Sequence, residues 1–225
     1  MNKRTKVLFS WSGGKDSSLA LYEIQKSGKY EITSLITTVT SEYDRVSMHG
    51  LRTSLLEEQG SSLNVPLEKV FISKNASNEE YGSSFNKVLL NYKESGIRDV
   101  VFGDLYLEDI KKYREALLEK IDMECVFPIW KRDTRKLAHE FINLGFKAIT
   151  ICVDSNVLGK EFVGREFDEQ FLNDLPASID PCGENGEFHT FTYHGPIFKK
   201  PIDLRMGEIV LRNERFYYCD ILPNS

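Results

Sequence analysis

The six residues Ser12-Gly13-Gly14-Lys15-Asp16-Ser17 combine two glycines, two hydroxyls, one cation and one carboxylate. Adjacent glycines let the backbone turn tightly and bring bare N–H groups against an anion. A helix beginning at once would add its own unpaired N–H groups and the positive end of its dipole. Ser12 and Ser17 can donate hydroxyl hydrogen bonds, and Lys15 supplies a point charge. Asp16 would repel bare phosphate, so it suits a nucleotide whose phosphates carry Mg2+. With Ser10 just upstream, the stretch reads as a phosphate-binding corner, although it matches neither GxxxxGK[ST] nor GxGxxG. The plainer alternative is a strand–turn–helix in which Ser or Asp merely caps the helix.

A second chemical cluster lies far downstream, in Glu184-Asn185-Gly186-Glu187-Phe188-His189. Two carboxylates flank Asn-Gly, a tight-turn pair, ahead of a strand in which His189 shares a face with Glu187 by the period of two. Acid, amide and imidazole together can hold an amine or ammonium and accept its proton; a hairpin turn with solvated acids would look similar. Between these clusters, His49 stands beside Gly50 and can donate to a phosphate or nucleotide. Gly103 allows close backbone approach, while Asp104 and Asp109 can hold ribose, metal or amine. Arg114 can pair with a phosphate or sit on an exposed helix face, and Trp130 can cover an apolar part of a site or fill the core.

The elements that must position these residues follow a regular rhythm. Apolar strands are expected at Val7–Phe9, Ile32–Val39, Val70–Ile72, Val100–Phe102 and Cys125–Phe127. Amphipathic helices are expected at Ser17–Ser27, Leu51–Leu63, Asn78–Lys93 and Glu108–Ile121. Strands apolar on both faces and separated by helices imply a parallel sheet covered on both sides. Right-handed crossovers then gather Ser12-Gly13-Gly14, Met48-His49-Gly50 and Gly103-Asp104 on one edge. Past Pro128 the rhythm changes to helix Thr134–Leu144, strand Ala148–Val153, helix Glu166–Leu175, strand Phe188–Tyr193, and a β-like Ile209–Ile221 turning near Arg212-Asn213-Glu214. The expected organisation is therefore α/β, with a doubly wound parallel sheet in residues 1–127 and a smaller α+β domain in 128–225.

Four motifs in order carry a family resemblance: SGGKDS at Ser12–Ser17, Ser47-Met48-His49-Gly50-Leu51-Arg52, Gly103-Asp104 running on to Tyr113-Arg114-Glu115, and Asp180-Pro181-Cys182-Gly183 through Phe191. Together with Pro128-Ile129-Trp130, they resemble the diphthine–ammonia ligase (diphthamide synthase) family of PP-loop ATP pyrophosphatases over nearly the whole chain. The resemblance implies a Rossmann-like fold of the adenine-nucleotide α-hydrolase type. It implies ATP as substrate, with Mg2+, cleaved between its α- and β-phosphates. It also implies adenylation of a carboxylate and amidation by ammonia or an amine. On this basis Ser10, Ser12–Ser17, His49, Gly103 and Asp104 would bind nucleotide, and Asp16 would meet the metal. Asp109, Arg114, Trp130 and Glu184–Glu187 with His189 would bind substrate, with Lys15, Glu184, Glu187 and His189 catalytic. Where that family carries Glu-Gly-Gly-Glu-Phe-Glu, this chain has Asn185 for a Gly and His189 for the last Glu, which resembles a bacterial-type variant.

Composition sets bounds around this reading. The 225 residues are 41% hydrophobic and 28% charged with a net charge of -5, which suits a soluble protein and offers no overall electrostatic footprint for nucleic acid. The four cysteines include no CxxC pair, so no zinc knuckle is expected. The basic start leads into an apolar run too short for a signal peptide, and no long apolar span follows. A cytoplasmic, reduced protein with a small-molecule or protein carboxylate as partner is expected, and a homodimer is compatible with the chain. Two other readings remain: a thiolation-type tRNA-modifying enzyme working through Cys182, and a nucleotide-binding protein without turnover.

Overall fold

The computed structural model describes residues 4–42, 45–46 and 50–224. Five strands form the parallel sheet: β1 (Thr5–Ser10), β2 (Tyr30–Thr40), β4 (Leu67–Ile72), β5 (Asp99–Val101) and β6 (Glu124–Val126). β2 pairs with both β1 and β4, β1 with β5, and β5 with β6, giving the order β4-β2-β1-β5-β6. The two-residue β3 (Arg45–Val46) folds back antiparallel on the end of β2. The chain thus winds outward from β1 to β4 and then returns to β5. This reversal between β1 and β5 opens a crevice at their C-terminal ends, where ligands of such sheets bind.

Strand alternation divides the core. Val7, Phe9, Leu35 and Val101 join one apolar cluster, whereas Leu8, Ile36, Val100 and Phe102 join the other. The helices α1 (Lys15–Ser27) and α2 (Thr53–Leu63) contribute to the first cluster; α3 (Asn78–Glu94) and α4 (Glu108–Glu119) contribute to the second. Helices on both faces make the sheet doubly wound, as its apolar strands require.

The C-terminal half contains α5 (Thr134–Asn143), β7 (Lys147–Asp154), α6 (Glu169–Asp174), β8 (Phe188–His194), β9 (Leu204–Arg212) and β10 (Phe216–Pro223). Its strands form an antiparallel sheet in the order β8-β7-β10-β9. The first apolar cluster continues without a break from Phe9 and Leu55 into Phe141, Phe171, Phe188 and Phe191 of this half. Two local expectations are corrected. The helix expected from Glu166 begins only after Asp168, whose carboxylate accepts from Phe171 N at 2.8 Å, because Glu166 is drawn into a bridge with Ile149. The β-like run from Ile209 is the second part of a longer strand, and it turns at Asn213 and Glu214, both with positive φ. No helix among the described residues is long and apolar enough to cross a membrane.

Candidate active site

Past Ser10 the chain leaves the sheet and turns through Gly13, whose φ of +78° is natural to glycine. Gly14 then caps α1 without a side chain. The hydroxyls close around this corner: Ser12 Oγ donates to Ser17 Oγ at 3.1 Å, and Ser17 and Ser18 each donate to the Gly14 carbonyl at 2.9 Å. Gly13, Lys15 and Ser17 are buried against the protein, whereas Ser12, Gly14 and Asp16 retain partial exposure. The corner therefore has a packed face and an open face. The first amides of α1, which have no intrahelical acceptor, lie at the same corner.

Gly103, just beyond β5, runs directly against this helix start. A Cβ there would lie 3.1 Å from both the Cα and the N of Ser17. The absence of a side chain lets the exits of β1 and β5 meet. Asp104 follows, and it is gripped by Arg114 of α4 through Nε to Oδ2 at 2.6 Å and Nη2 to Oδ1 at 3.1 Å. Arg114 also lies 4.4 Å over the Phe102 ring, so its charge is held in place on two sides.

The segment from Asp180 to Glu187 closes over this edge from the C-terminal half. Asp180 Oδ1 accepts from Cys182 N and Glu184 N, and its Oδ2 accepts from Thr134 Oγ1 at 2.6 Å. Glu187 accepts from Asp180 N, Asn185 N and Asn185 Nδ2, so both its oxygens brace the turn. Asn185 also accepts from the Tyr106 hydroxyl at 3.2 Å, a contact glycine at this position could not make. Glu184 reaches across the crevice, where its Oε1 accepts from Leu105 N at 3.0 Å and Tyr106 N at 3.1 Å. Burial pushes its pKa above the ordinary 4.5, with the Tyr106 amide offsetting part of the rise.

Lys15 joins the two sides. Its ammonium donates to Asp16 Oδ2 at 2.7 Å and to the Cys182 carbonyl, between the rings of Phe167 and Phe188 at 5.7 and 5.4 Å. Burial works against its charge, but Asp16, Cys182 and Glu184 outweigh burial and hold the pKa above its ordinary value. Burial raises the Asp16 carboxyl, against the pull of Lys15.

The other residues singled out in the sequence are more dispersed. His189 sits half-buried on β8 opposite Cys152, and alternation puts it on the strand face away from Thr190, whose hydroxyl accepts from Lys15 N at the glycine corner. Asp109 is exposed in the first turn of α4. Trp130 packs 5.7 Å from Phe127 with Lys111 Nζ 4.9 Å over its ring. His49, with Ser47 and Met48, lies outside the described residues. Sequence reasoning missed Gln59 and Thr134, and gave no role to Asp180, Thr190 and Tyr106 although they lie inside the motifs; all five contact the corner or its closing segment. Two surface hollows, one at Gly82, Tyr113 and Leu117 and one at Gly60, Asn64 and Pro66, share no residue with this site.

Comparison with known proteins places this geometry in context. The N-terminal domain of diphthamide synthase matches residues 4–125, and its C-terminal domain matches residues 133–222. The chain belongs to the diphthamide synthase family. Among curated relatives, a diphthine–ammonia ligase of Schizosaccharomyces pombe is 27% identical over 91% of this chain and 37% of its own length. One of Danio rerio is 25% identical over 90% of this chain and 88% of its own length, and one of Bos taurus is 31% identical over 46% and 41%. The chain thus spans little more than a third of the Schizosaccharomyces pombe relative but most of the Danio rerio one. For this diphthamide synthase family member, the two matched domains meet at the corner just described, through Lys15–Cys182 and Glu184–Tyr106.

Proposed function

We propose that this chain is an ATP-dependent amide ligase that adenylates a carboxylate, releases pyrophosphate and passes the acyl group to ammonia or an amine. The observation that carries the proposal is the phosphate corner at the β1/β5 crevice, closed by a carboxylate-bearing segment from the other half. The names of the relatives, diphthine–ammonia ligases, support ammonia as the nitrogen donor. In this reading residues 1–127 hold the nucleotide and residues 128–225 the acceptor.

The β- and γ-phosphates would rest on the open face of Ser12, Gly14 and Asp16, with the helix amides as donors and the Ser12 hydroxyl turned from Ser17 Oγ toward them. An acceptor carboxylate oxygen attacks the α-phosphorus in line, and pyrophosphate leaves. Ammonia then attacks the acyl carbon, AMP leaves, and the proton lost from nitrogen goes to a base. Glu184 suits that task, because burial brings its pKa nearer to neutral. Glu187 and Asn185 hold the segment in shape, and Arg114 fixes Asp104 beside the nucleotide. No group of three or more metal-ligating side chains occurs among the described residues. Among the described residues there is thus no ready-made cage, and Mg2+ would arrive on the triphosphate, with Asp16 at the corner to meet it. Bound there, it would neutralise charge on the phosphates.

Incubation of the protein with ATP, ammonium chloride and a carboxylate acceptor should yield AMP and pyrophosphate; ADP and phosphate would contradict the proposal. Glu184→Gln keeps an oxygen for the Leu105 and Tyr106 amides but removes the base. In the wild type, rate should fall as pH drops through a value above 4.5, and the variant should lack that acidic limb. Stability has the opposite sense. A carboxyl with a raised folded pKa contributes stability that is full below pH 4.5 and lost as pH rises through the folded value. Thermal melts across that range should show a smaller loss in Glu184→Gln.

A thiolation-type reading is opposed by Cys182 itself. Its thiol is buried, donates to the Thr134 carbonyl at 3.2 Å and is pushed upward in pKa by burial, which leaves almost no thiolate. Cys182→Ser should therefore retain turnover within about threefold, since serine can still donate to the Thr134 carbonyl and the change in one weak hydrogen bond is worth under ~1 kcal/mol.

A further inference from the structure

Gln59 lies on α2, fully buried, beside the buried Leu55, Leu56 and Leu63 of the same helix. Every polar atom of its amide is engaged. Oε1 accepts from Trp11 Nε1 at 2.8 Å, while Nε2 donates to the Gly13 carbonyl at 3.0 Å and to the Thr192 carbonyl at 2.6 Å. These two bonds use both of its N–H donors. The Gly13 carbonyl also accepts from Thr192 N at 2.9 Å. It is therefore clamped by α2 on one side and β8 on the other.

Peptide planarity turns this clamp into a statement about the open face. In a trans peptide the C=O and the following N–H point in opposite directions. Pinning the Gly13 carbonyl toward Gln59 and Thr192 aims the Gly14 N–H the other way, toward Ser12 Oγ at 3.3 Å. One residue on, Lys15 N donates to Thr190 Oγ1 at 3.1 Å, which fixes the next peptide to the same strand. An unclamped Gly-Gly pair would be free to rotate, and glycine has more conformational freedom to lose than any other residue.

We infer that Gln59 is a positioning residue for triphosphate binding, and that with Thr190 and Thr192 it makes the phosphate corner depend on the C-terminal half. Gln59 touches no nucleotide itself; it presets the Gly13–Gly14 peptide so that its N–H faces the ligand. The inference rests on the proposal that this corner binds ATP phosphates.

The test compares binding of α,β-methylene-ATP with binding of adenosine by calorimetry, alongside kcat, KM and thermal melts. Gln59→Met preserves length and removes every polar atom. It should weaken the triphosphate analogue about tenfold or more, equivalent to ~1.4 kcal/mol, raise KM for ATP, and leave adenosine affinity unchanged. Equal weakening of both ligands, or no change in a folded variant, would overturn the inference. If Gln59→Met does not fold, Thr190→Val and Thr190→Ser give the same reading through the neighbouring peptide. The valine variant should lose triphosphate affinity and the serine variant, which keeps Oγ, should recover it; identical behaviour of the two would overturn the inference. A wild-type protein that binds adenosine but not the analogue would remove the phosphate assignment itself, and the inference with it.

Discussion

Lys15→Ala should lower AMP formation by ~100-fold or more, the usual cost of removing one charge-stabilising contact in an active site, while the protein remains folded. The substitution removes two things at once. The corner loses its cation, and the Cys182 carbonyl and Asp16 lose the ammonium that joins them. Asp16 is partly exposed, so water can replace the lost partner at its carboxylate. The Cys182 carbonyl belongs to the segment that also carries Glu184, so slackening there should lower kcat as well as raise KM. Lys15→Arg separates charge from fit. A guanidinium is wider and planar, and the slot between Phe167 and Phe188 holds an ammonium 5.7 and 5.4 Å from their ring centres. Arginine should therefore fail to restore turnover, despite keeping the charge. Product analysis and rapid-quench kinetics on the three proteins would check this; wild-type AMP formation in the alanine variant would take Lys15 out of the mechanism.

The candidate site residues were easier to single out in the sequence than the contacts that arrange them. Alternating apolar runs gave the parallel sheet because a strand buried on both faces has few other ways to be covered, and the glycine corner follows from its φ requirement alone. Local signals could also show that Lys15, Glu184 and Arg114 were charged residues near a ligand edge. They could not show where those charges would go. The carbonyl that receives Lys15 is 167 residues away, and the amides that receive Glu184 are 78 and 79 residues away. Asp104 and Arg114, read separately as ligand contacts, are each other's partners. Glu187, read as a candidate acid or base, has both oxygens on amides of its own turn. Gln59 was invisible for a different reason: a single polar residue in an amphipathic helix carries no mark of burial until the strand that completes its hydrogen bonds is in place.

Gly13→Ala should cost ~100-fold in affinity for ATP, about 2.7 kcal/mol, through two effects that a second glycine separates. The first is conformational: φ of +78° places a non-glycine residue in the left-handed region, at roughly 1–2 kcal/mol. The second is steric, since the new Cβ would lie 2.5 Å from Leu56 Cδ2 and 2.8 Å from Gln59 Oε1. Leu56 is fully buried and cannot swing into solvent, so the adjustment must come from the corner or from the Gln59 clamp, and either one turns the Gly14 amide. Gly28, at the C-cap of α1, has φ of +65°, and a methyl group added there would meet nothing within 4 Å. Gly28→Ala should thus lower the melting temperature by the conformational part alone and leave ATP affinity unchanged. The difference between their melting temperatures isolates the collision at Leu56 and Gln59. Equal ATP affinity in both would mean that the open face of the corner does not depend on how its packed face is filled.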